Sequence, residues 1–374
     1  MEEIKRINTE NLFSYTGLTE LQKENSALNK KESNIGATTL QSYPRRIVLE
    51  LTNTCNFNCI MCGRTHADFS PNFFNVGWLK SLEPAFRYAE EVTMMGWGEP
   101  SMHPKFQAFL EFASNFPVKK YILTNGLKLD EMSPWIFEYD VNIVAISLDS
   151  PDAKTNDTIR QGSDFDRIIK NIKDLVIRRY FANVKPYINT VTTLMKSNLE
   201  TFPDMVTLAA ELGIEEVKAV YLTAFSKELE SETLYDIPEK TREIFNIATD
   251  LADRYNITLT LPHIPGEDPA KNNNHKHCHL AWRDLFVGCD GTIRTCMSSE
   301  NTLLKLPAYG VPFKSGIWNS KEFIDFRERV NASDDNMNDA CKTCYQSACA
   351  NWNKKHSFIQ TDQSFYPKWG NSNG

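Results

Sequence analysis

Residues 47–62 read Ile47-Val48-Leu49-Glu50-Leu51-Thr52-Asn53-Thr54-Cys55-Asn56-Phe57-Asn58-Cys59-Ile60-Met61-Cys62, a β-prone run that passes straight into a loop with three cysteines. Ile47–Leu51 has the β-branched, apolar character of a buried strand. The loop then places three thiols within eight residues, in the spacing C-x3-C-x2-C. A loop of that spacing can wrap three corners of an iron–sulfur cube and leave the fourth iron without a protein ligand. The open iron can bind an exogenous amine and carboxylate. A tetrahedral zinc site would want a fourth Cys or His nearby, which His66 could supply, so a zinc loop is the competing reading.

Outward from this stretch, short β-branched runs alternate with longer segments of helical period. The runs are Ile47–Leu51, Val92–Met95, Lys120–Thr124, Ile143–Leu148, Val184–Thr193 and Glu216–Val220; between them lie Trp78–Glu90, Phe106–Phe116, Phe165–Phe181 and Asp204–Leu212. This βαβ series predicts an α/β fold with a parallel sheet and helices outside it. Six units are too few for a complete eight-fold barrel, so a partial (βα)6 barrel is expected, with reactive residues in loops after the carboxyl ends of the strands. A helix at Glu239–Tyr255 and a strand at Ile257–Leu261 lead to Pro262 and Pro265, where a boundary is expected. Residues 1–45 are polar and weakly periodic, an extended or partly helical arm. The core domain is therefore placed at 46–265, a small loop-rich C-terminal domain at 266–352 and a polar tail at 353–374.

Composition bounds the chemistry. The chain has 374 residues, 41 Lys and Arg against 48 Asp and Glu for a net charge of −7, and 41% hydrophobic content, which excludes disordered and fibrous classes. An acidic balance without basic clusters gives no footprint for nucleic acid or membrane headgroups. The apolar stretch Val141–Leu148 is far too short to span a bilayer, and the N-terminus shows no secretory signal, so a cytoplasmic, reducing setting is expected. Nine cysteines there point to metal or thiol chemistry before disulfides. Six of them, Cys278, Cys289, Cys296, Cys341, Cys344 and Cys349, lie in the last hundred residues. Glycine at 291 suits a tight hairpin turn, Cys289-Asp290-Gly291-Thr292. A zinc ribbon uses similar paired cysteines and is the alternative there.

The C-x3-C-x2-C loop after the first strand resembles the signature of the radical S-adenosylmethionine (SAM) superfamily. In that family a [4Fe-4S] cluster reduces SAM to give methionine and a 5′-deoxyadenosyl radical, which abstracts hydrogen from substrate. The resemblance implies that Cys55, Cys59 and Cys62 ligate the cluster. Gly96-Trp97-Gly98-Glu99-Pro100 resembles the family's Gly-Gly-Glu-Pro element, which binds the methionine amino group. Thr124-Asn125-Gly126 closes the third strand. Ser147 and Asp149 resemble a polar pair that contacts SAM, Arg160 a residue near the SAM carboxylate, and Asn189 a further polar contact. Met61 stands where an aromatic residue often lies beside adenine; a thioether can pack on that face too.

The later pattern, Cys278-x12-Gly291-x4-Cys296 with Cys341-x2-Cys344, resembles the auxiliary-cluster extension called SPASM, or its shortened form, twitch. By that resemblance these four cysteines hold one auxiliary [4Fe-4S] cluster. A second auxiliary cluster lacks ligands, and Cys289 and Cys349 stay unassigned: buried thiols, hydrogen donors or further ligands. The run His275-Lys276-His277-Cys278-His279 reads as a polar loop entering the cluster fold. Twitch relatives include dehydrogenases of amino-cyclitols, whereas SPASM relatives oxidise protein residues or cross-link peptides. The expected reaction is dehydrogenation of a hydroxylated small molecule such as a sugar or amino-cyclitol, with the auxiliary cluster accepting an electron. Peptide modification, and redox-neutral epimerisation with a cysteine donor, are the alternatives, and a zinc scaffold is the non-enzyme one. With no leader-binding domain ahead of Arg46, a small molecule is favoured over a peptide. Some SPASM relatives use an aspartate where this chain has Met297, so Asp290 and Tyr309 are candidate bases by sequence proximity alone. Arg294 is a candidate substrate anchor. A flavodoxin or ferredoxin is the expected one-electron reductant.

Overall fold

The computed structural model describes residues 17–66, 70–182, 186–262, 264, 278–296, 302–306, 310–332, 336–338 and 341. Ten strands make one sheet: β1 Arg46–Leu49, β2 Glu91–Met94, β3 Lys119–Thr124, β4 Ile143–Ser147, β5 Tyr187–Leu194, β6 Glu216–Tyr221, β7 Thr258–Thr260, β8 Asp284–Val287, β9 Thr292–Arg294 and β10 Leu304–Lys305. Their order is β10-β9-β8-β1-β2-β3-β4-β5-β6-β7. From β8 through β1 to β7 every neighbouring pair is parallel, and β9 and β10 add antiparallel strands at one edge. Among the described residues β7 and β8 do not pair, which leaves the barrel open.

Alternation along the strands makes two unlike faces. Ile47, Leu49, Val92, Met94, Ile122, Val144, Ile146, Ile188 and Val217 join the core formed with the surrounding helices Leu79–Phe86, Phe106–Ala113, Leu129–Glu138, Phe165–Ala182, Phe202–Leu212 and Pro238–Tyr255. The positions between them are mostly polar, Thr93, Tyr121, Asn189 and Lys218 among them, with Val48 and Ala145 as apolar exceptions. Thr260 donates to Glu216 at 2.8 Å, Lys218 Nζ lies 3.4 Å from Glu216, and Arg46 pairs with Asp284 across the β1–β8 seam. The concave face is thus lined with hydrogen-bonding groups, while the convex face supplies hydrophobic stabilisation. No helix among the described residues is long and apolar enough to cross a membrane.

Two features go beyond the sequence expectation. The expected boundary near Pro265 lies outside the described residues, yet the sheet continues on its far side, because β8 pairs in parallel with β1. The N-terminal arm contains a helix, Glu20–Asn34, started by a Thr19/Gln22 capping box. Its buried positions are Gln22, Asn25, Ser26, Asn29, Glu32 and Ser33, a helical period carried by polar residues. They hydrogen-bond rather than pack. Gln22 Nε2 donates to the carbonyls of Ala89 at 2.7 Å and Pro117 at 2.8 Å, and Asn29 Nδ2 donates to Trp282 O at 2.7 Å and Ser42 Oγ at 2.9 Å. The following segment is bound to the C-terminal part: Arg327 donates to Thr38 O at 3.0 Å, and Asn319 exchanges two hydrogen bonds with the backbone of Leu40.

Asn29→Ala leaves the buried Trp282 carbonyl and Ser42 hydroxyl without this donor. Destabilisation of about 1–3 kcal/mol is expected in anaerobic urea unfolding, and an unchanged midpoint would show that the helix contributes no such tie.

Candidate active site

The loop after β1 is clasped on two sides. Asn58 N–H donates to Gln161 O at 2.7 Å and Ile60 N–H to Ile159 O at 3.0 Å, while Glu99 N–H donates to Thr54 O at 2.9 Å. Within the loop, Phe57 N–H points to Cys55 Sγ at 3.4 Å, and Thr65 N–H donates to the Cys62 carbonyl at 2.9 Å. Burial raises the pKa of all three thiols, that of Cys59 to about 12, against the opposing charge of Arg160. Half-buried thiols shifted in this direction ionise when a cationic centre compensates them. Among the described residues no group of three His, Cys, Asp or Glu side chains is placed to hold a single metal ion. The Phe57 N–H aimed at the Cys55 sulfur, with Arg64 and Arg160 within electrostatic reach of the thiols, suits this loop to an iron–sulfur cluster. The His66 side chain, the alternative fourth ligand, lies outside the described residues.

Residues 96–100 lie directly on this loop. A Cβ on Gly98 would collide with the carbonyl oxygens of Thr52 and Thr54, and one on Gly96 with the Glu50 side chain. Gly63 is equally constrained, since its Cβ would lie 2.6 Å from the Trp97 ring. Glu99 is buried; its carboxylate accepts from Ser101 N–H at 3.1 Å, Thr124 Oγ1 at 2.7 Å and Asn125 N–H at 2.7 Å. It therefore fixes the turn after β3 against residues 96–100. Asn125 in turn donates to Asn56 Oδ1 at 2.8 Å.

At the carboxyl end of β4, Asp149 Oδ2 lies 2.8 Å from Arg160 Nε, and Asp149 Oδ1 accepts Thr193 N–H at 2.7 Å. Burial raises the Asp149 pKa, while Arg160 acts against that rise. The same Arg160 faces Cys59 and Cys62, so this ion pair adjoins the cysteine loop. Met61 packs against a small apolar cluster of Ile159, Met195, Leu222, Ala224 and Leu229. Ser147 ends β4 beside Val191, whereas Asn189 pairs with Ala145, one inward-facing position deeper in the sheet.

On the other side of β1 stands the β8–β9 hairpin. Gly291 adopts φ +84° in its turn, closed by Gly291 N–H to Gly288 O at 2.9 Å, as the sequence predicted. Antiparallel pairing brings the start of β8 and the end of β9 to one end of the hairpin; Cys296 lies two residues beyond β9, and Cys278 precedes β8 by six residues, across the helical turn Leu280–Arg283. Cys278 is pinned to the last described helix: its N–H donates to Asn331 Oδ1 at 2.8 Å, and its carbonyl accepts Asn331 Nδ2 at 3.1 Å. Cys341 N–H donates to Asn338 O at 2.8 Å. Cys289 is 2% exposed, with its thiol against Glu50. Cys344, Cys349, Met297 and Tyr309 lie outside the described residues. Glu50 and Arg64 were not singled out from sequence; the available signal was a carboxylate inside an apolar strand.

The radical SAM superfamily model matches residues 49–209, and that of the iron–sulfur cluster-binding domain SPASM matches residues 278–345. This chain is a radical SAM enzyme with a SPASM domain. It is 25% identical, over 297 residues, to a tungsten-containing aldehyde ferredoxin oxidoreductase cofactor-modifying protein of Pyrococcus furiosus, covering 75% of this chain and 82% of the relative. It is 28% identical to the mycofactocin maturase MftC of Mycobacterium tuberculosis over 172 residues, 46% of this chain and 43% of that one. In fold it is similar to SuiB of Streptococcus suis bound to S-adenosylmethionine, with a TM-score of 0.61 and 18% identity over 83% of this chain and 73% of that chain. As a radical SAM protein it uses SAM and a [4Fe-4S] cluster, and its SPASM domain carries auxiliary iron–sulfur chemistry.

Gly98→Ala forces residues 96–100 off the cysteine loop. A loss of SAM affinity of at least about tenfold, about 1.4 kcal/mol, is expected in equilibrium binding; unchanged affinity would contradict this role for the contact.

Proposed function

We propose that Cys55, Cys59 and Cys62 ligate the radical SAM cluster and that Cys278, Cys296, Cys341 and Cys344 ligate one auxiliary [4Fe-4S] cluster. The observation that carries this reading is the half-buried three-thiol loop clasped by residues 96–99 on one side and by residues 159–161 on the other. The cluster, when bound, supplies the electron that breaks the sulfonium bond of SAM, and the resulting radical removes hydrogen from substrate. The chain's own residues bind and orient. The backbone at Gly96, Trp97, Gly98 and Glu99 holds the methionine end of SAM, the Asp149–Arg160 pair and Ser147 its polar groups, and Met61 its adenine, with Asn189 below. Functionally, residues 46–265 form the SAM-binding part and 266–352 the auxiliary part, joined through β8.

The substrate we propose is a peptide, or a cofactor precursor made from one. Support comes from the relatives: a mycofactocin maturase and a cofactor-modifying protein in sequence, and in fold SuiB, which has also been seen bound to the precursor peptide SuiA. The expected oxidation of a free sugar or amino-cyclitol finds no such support. Epimerisation through Cys289 is disfavoured by its 2% exposure, which suits a packed thiol rather than a donor facing substrate. An external flavodoxin or ferredoxin and a reducing, cytoplasmic setting complete this reading.

Anaerobically reconstituted protein should bind about eight irons and eight sulfides per chain and release 5′-deoxyadenosine when given SAM and dithionite. Cys59→Ala should abolish that release, and Cys289→Ala should leave it. Stoichiometric zinc without sulfide would refute the assignment.

A further inference from the structure

Trp97 stands between Gly96 and Gly98, and its backbone is fixed from both sides. Its N–H donates at 2.8 Å to Glu50, a fully buried carboxylate directly after β1 that also accepts Cys289 N–H at 3.3 Å. Gly98 admits no Cβ against the Thr52 and Thr54 carbonyls, and Gly96 none against the Glu50 side chain. So held, the indole lies on the far end of the cysteine loop. A Cβ on Gly63 would stand 2.6 Å from Trp97 Cζ3 and 3.2 Å from Phe225 Cδ1, so both rings rest on the backbone one residue beyond Cys62. Gly63 is buried there, while the two rings are half-buried. The rings meet edge to face, with centroids 5.5 Å apart and planes at 71°. Phe225 belongs to the segment after β6, four places from β2 in the sheet. The same segment supplies Leu222, Ala224 and Leu229 to the apolar cluster on which Ile60 and Met61 pack. Loops from β2 and β6 thus meet over the cysteine loop.

We propose that Trp97 and Phe225 form an aromatic shield over the Cys62 corner of the SAM cluster, excluding water there and holding the cluster's reduction potential low. This rests on the reading of Cys62 as a ligand of that cluster. One-electron reduction adds negative charge to an iron–sulfur centre, and water stabilises added charge, so excluding water disfavours the reduced state. An electron held at low potential is the more readily passed to the SAM sulfonium. The glycine at 63 fits this role, because any side chain there would lift both rings off the loop. A contact that served packing alone would alter unfolding and leave the potential where it is.

The test is a redox titration of the anaerobically reconstituted full chain without SAM, followed by electron paramagnetic resonance. The signal missing from a Cys59→Ala sample is taken as that of the SAM cluster. Trp97→Ala and Phe225→Ala should each shift its midpoint upward by at least about threefold in the reduction equilibrium, about 28 mV for one electron. Trp97→Phe, which keeps a ring over Gly63, should remain within about twofold of the parent equilibrium. An unmoved or lowered midpoint in Trp97→Ala or Phe225→Ala, or an equal shift in Trp97→Phe and Trp97→Ala, overturns the shield while leaving the cluster assignment intact. If Cys59→Ala and Cys62→Ala both retain every cluster signal of the parent, the ligand reading fails and the proposal with it.

Discussion

Backbone lies on backbone where residues 96–99 meet residues 52–54, and the rest of the site depends on that contact. No side chain fits between the two segments at Gly98, and the single hydrogen bond from Glu99 N–H to Thr54 O fixes their register. Because each segment leaves the carboxyl end of a neighbouring parallel strand, β1 or β2, the spacing of the sheet sets the spacing of the loops. Glu99 extends the arrangement to the turn after β3 and Glu50 extends it to the β8–β9 hairpin. Two buried carboxylates, each spent on backbone donors, thus connect four strand ends around three cysteines. Their cost in desolvation is offset by the hydrogen bonds they accept.

The open sheet divides labour between its faces. Helices cover the convex side with an apolar core, whereas the concave side keeps Thr93, Tyr121, Asn189, Glu216 and Lys218 among its lining. A closed eight-stranded barrel would fill that space with side chains. Here β7 and β8 remain apart, and the polar lining faces the space that a cofactor and substrate of some size require. The N-terminal helix and the C-terminal helices brace the β1–β8 side of the sheet through amide and guanidinium contacts with backbone carbonyls.

Much of this was legible in sequence. The six β-branched runs became strands within a residue or two of their expected ends, apart from β5, which starts at Tyr187, because period-two alternation with flanking turn residues is a local signal. The cysteine loop and the Gly291 turn were read from spacing, whereas Asp149 and Arg160 were singled out through the resemblance to the radical SAM superfamily, with no sign in sequence that they pair. What escaped was non-local or polar. The Glu20–Asn34 helix has the right period, but Gln22, Asn25 and Asn29 carry it in place of apolar residues. The helix Leu129–Glu138 contains Pro134, which masks its pattern. The pairing of β8 with β1 joins positions more than two hundred residues apart, and nothing in the four residues Asp284–Val287 announces their partner. Glu50 sits in an apolar strand, where a lone carboxylate reads as an irregularity until its two donors are seen.

The central claim is that three thiolates hold a cluster whose free iron binds SAM directly. The decisive measurement is electron–nuclear double resonance of the reduced, anaerobic protein with SAM labelled at its amino nitrogen and carboxylate. Hyperfine coupling of both labels to the cluster bound at Cys55, Cys59 and Cys62 is predicted; a reduced cluster at that loop with bound SAM and no such coupling would contradict the account.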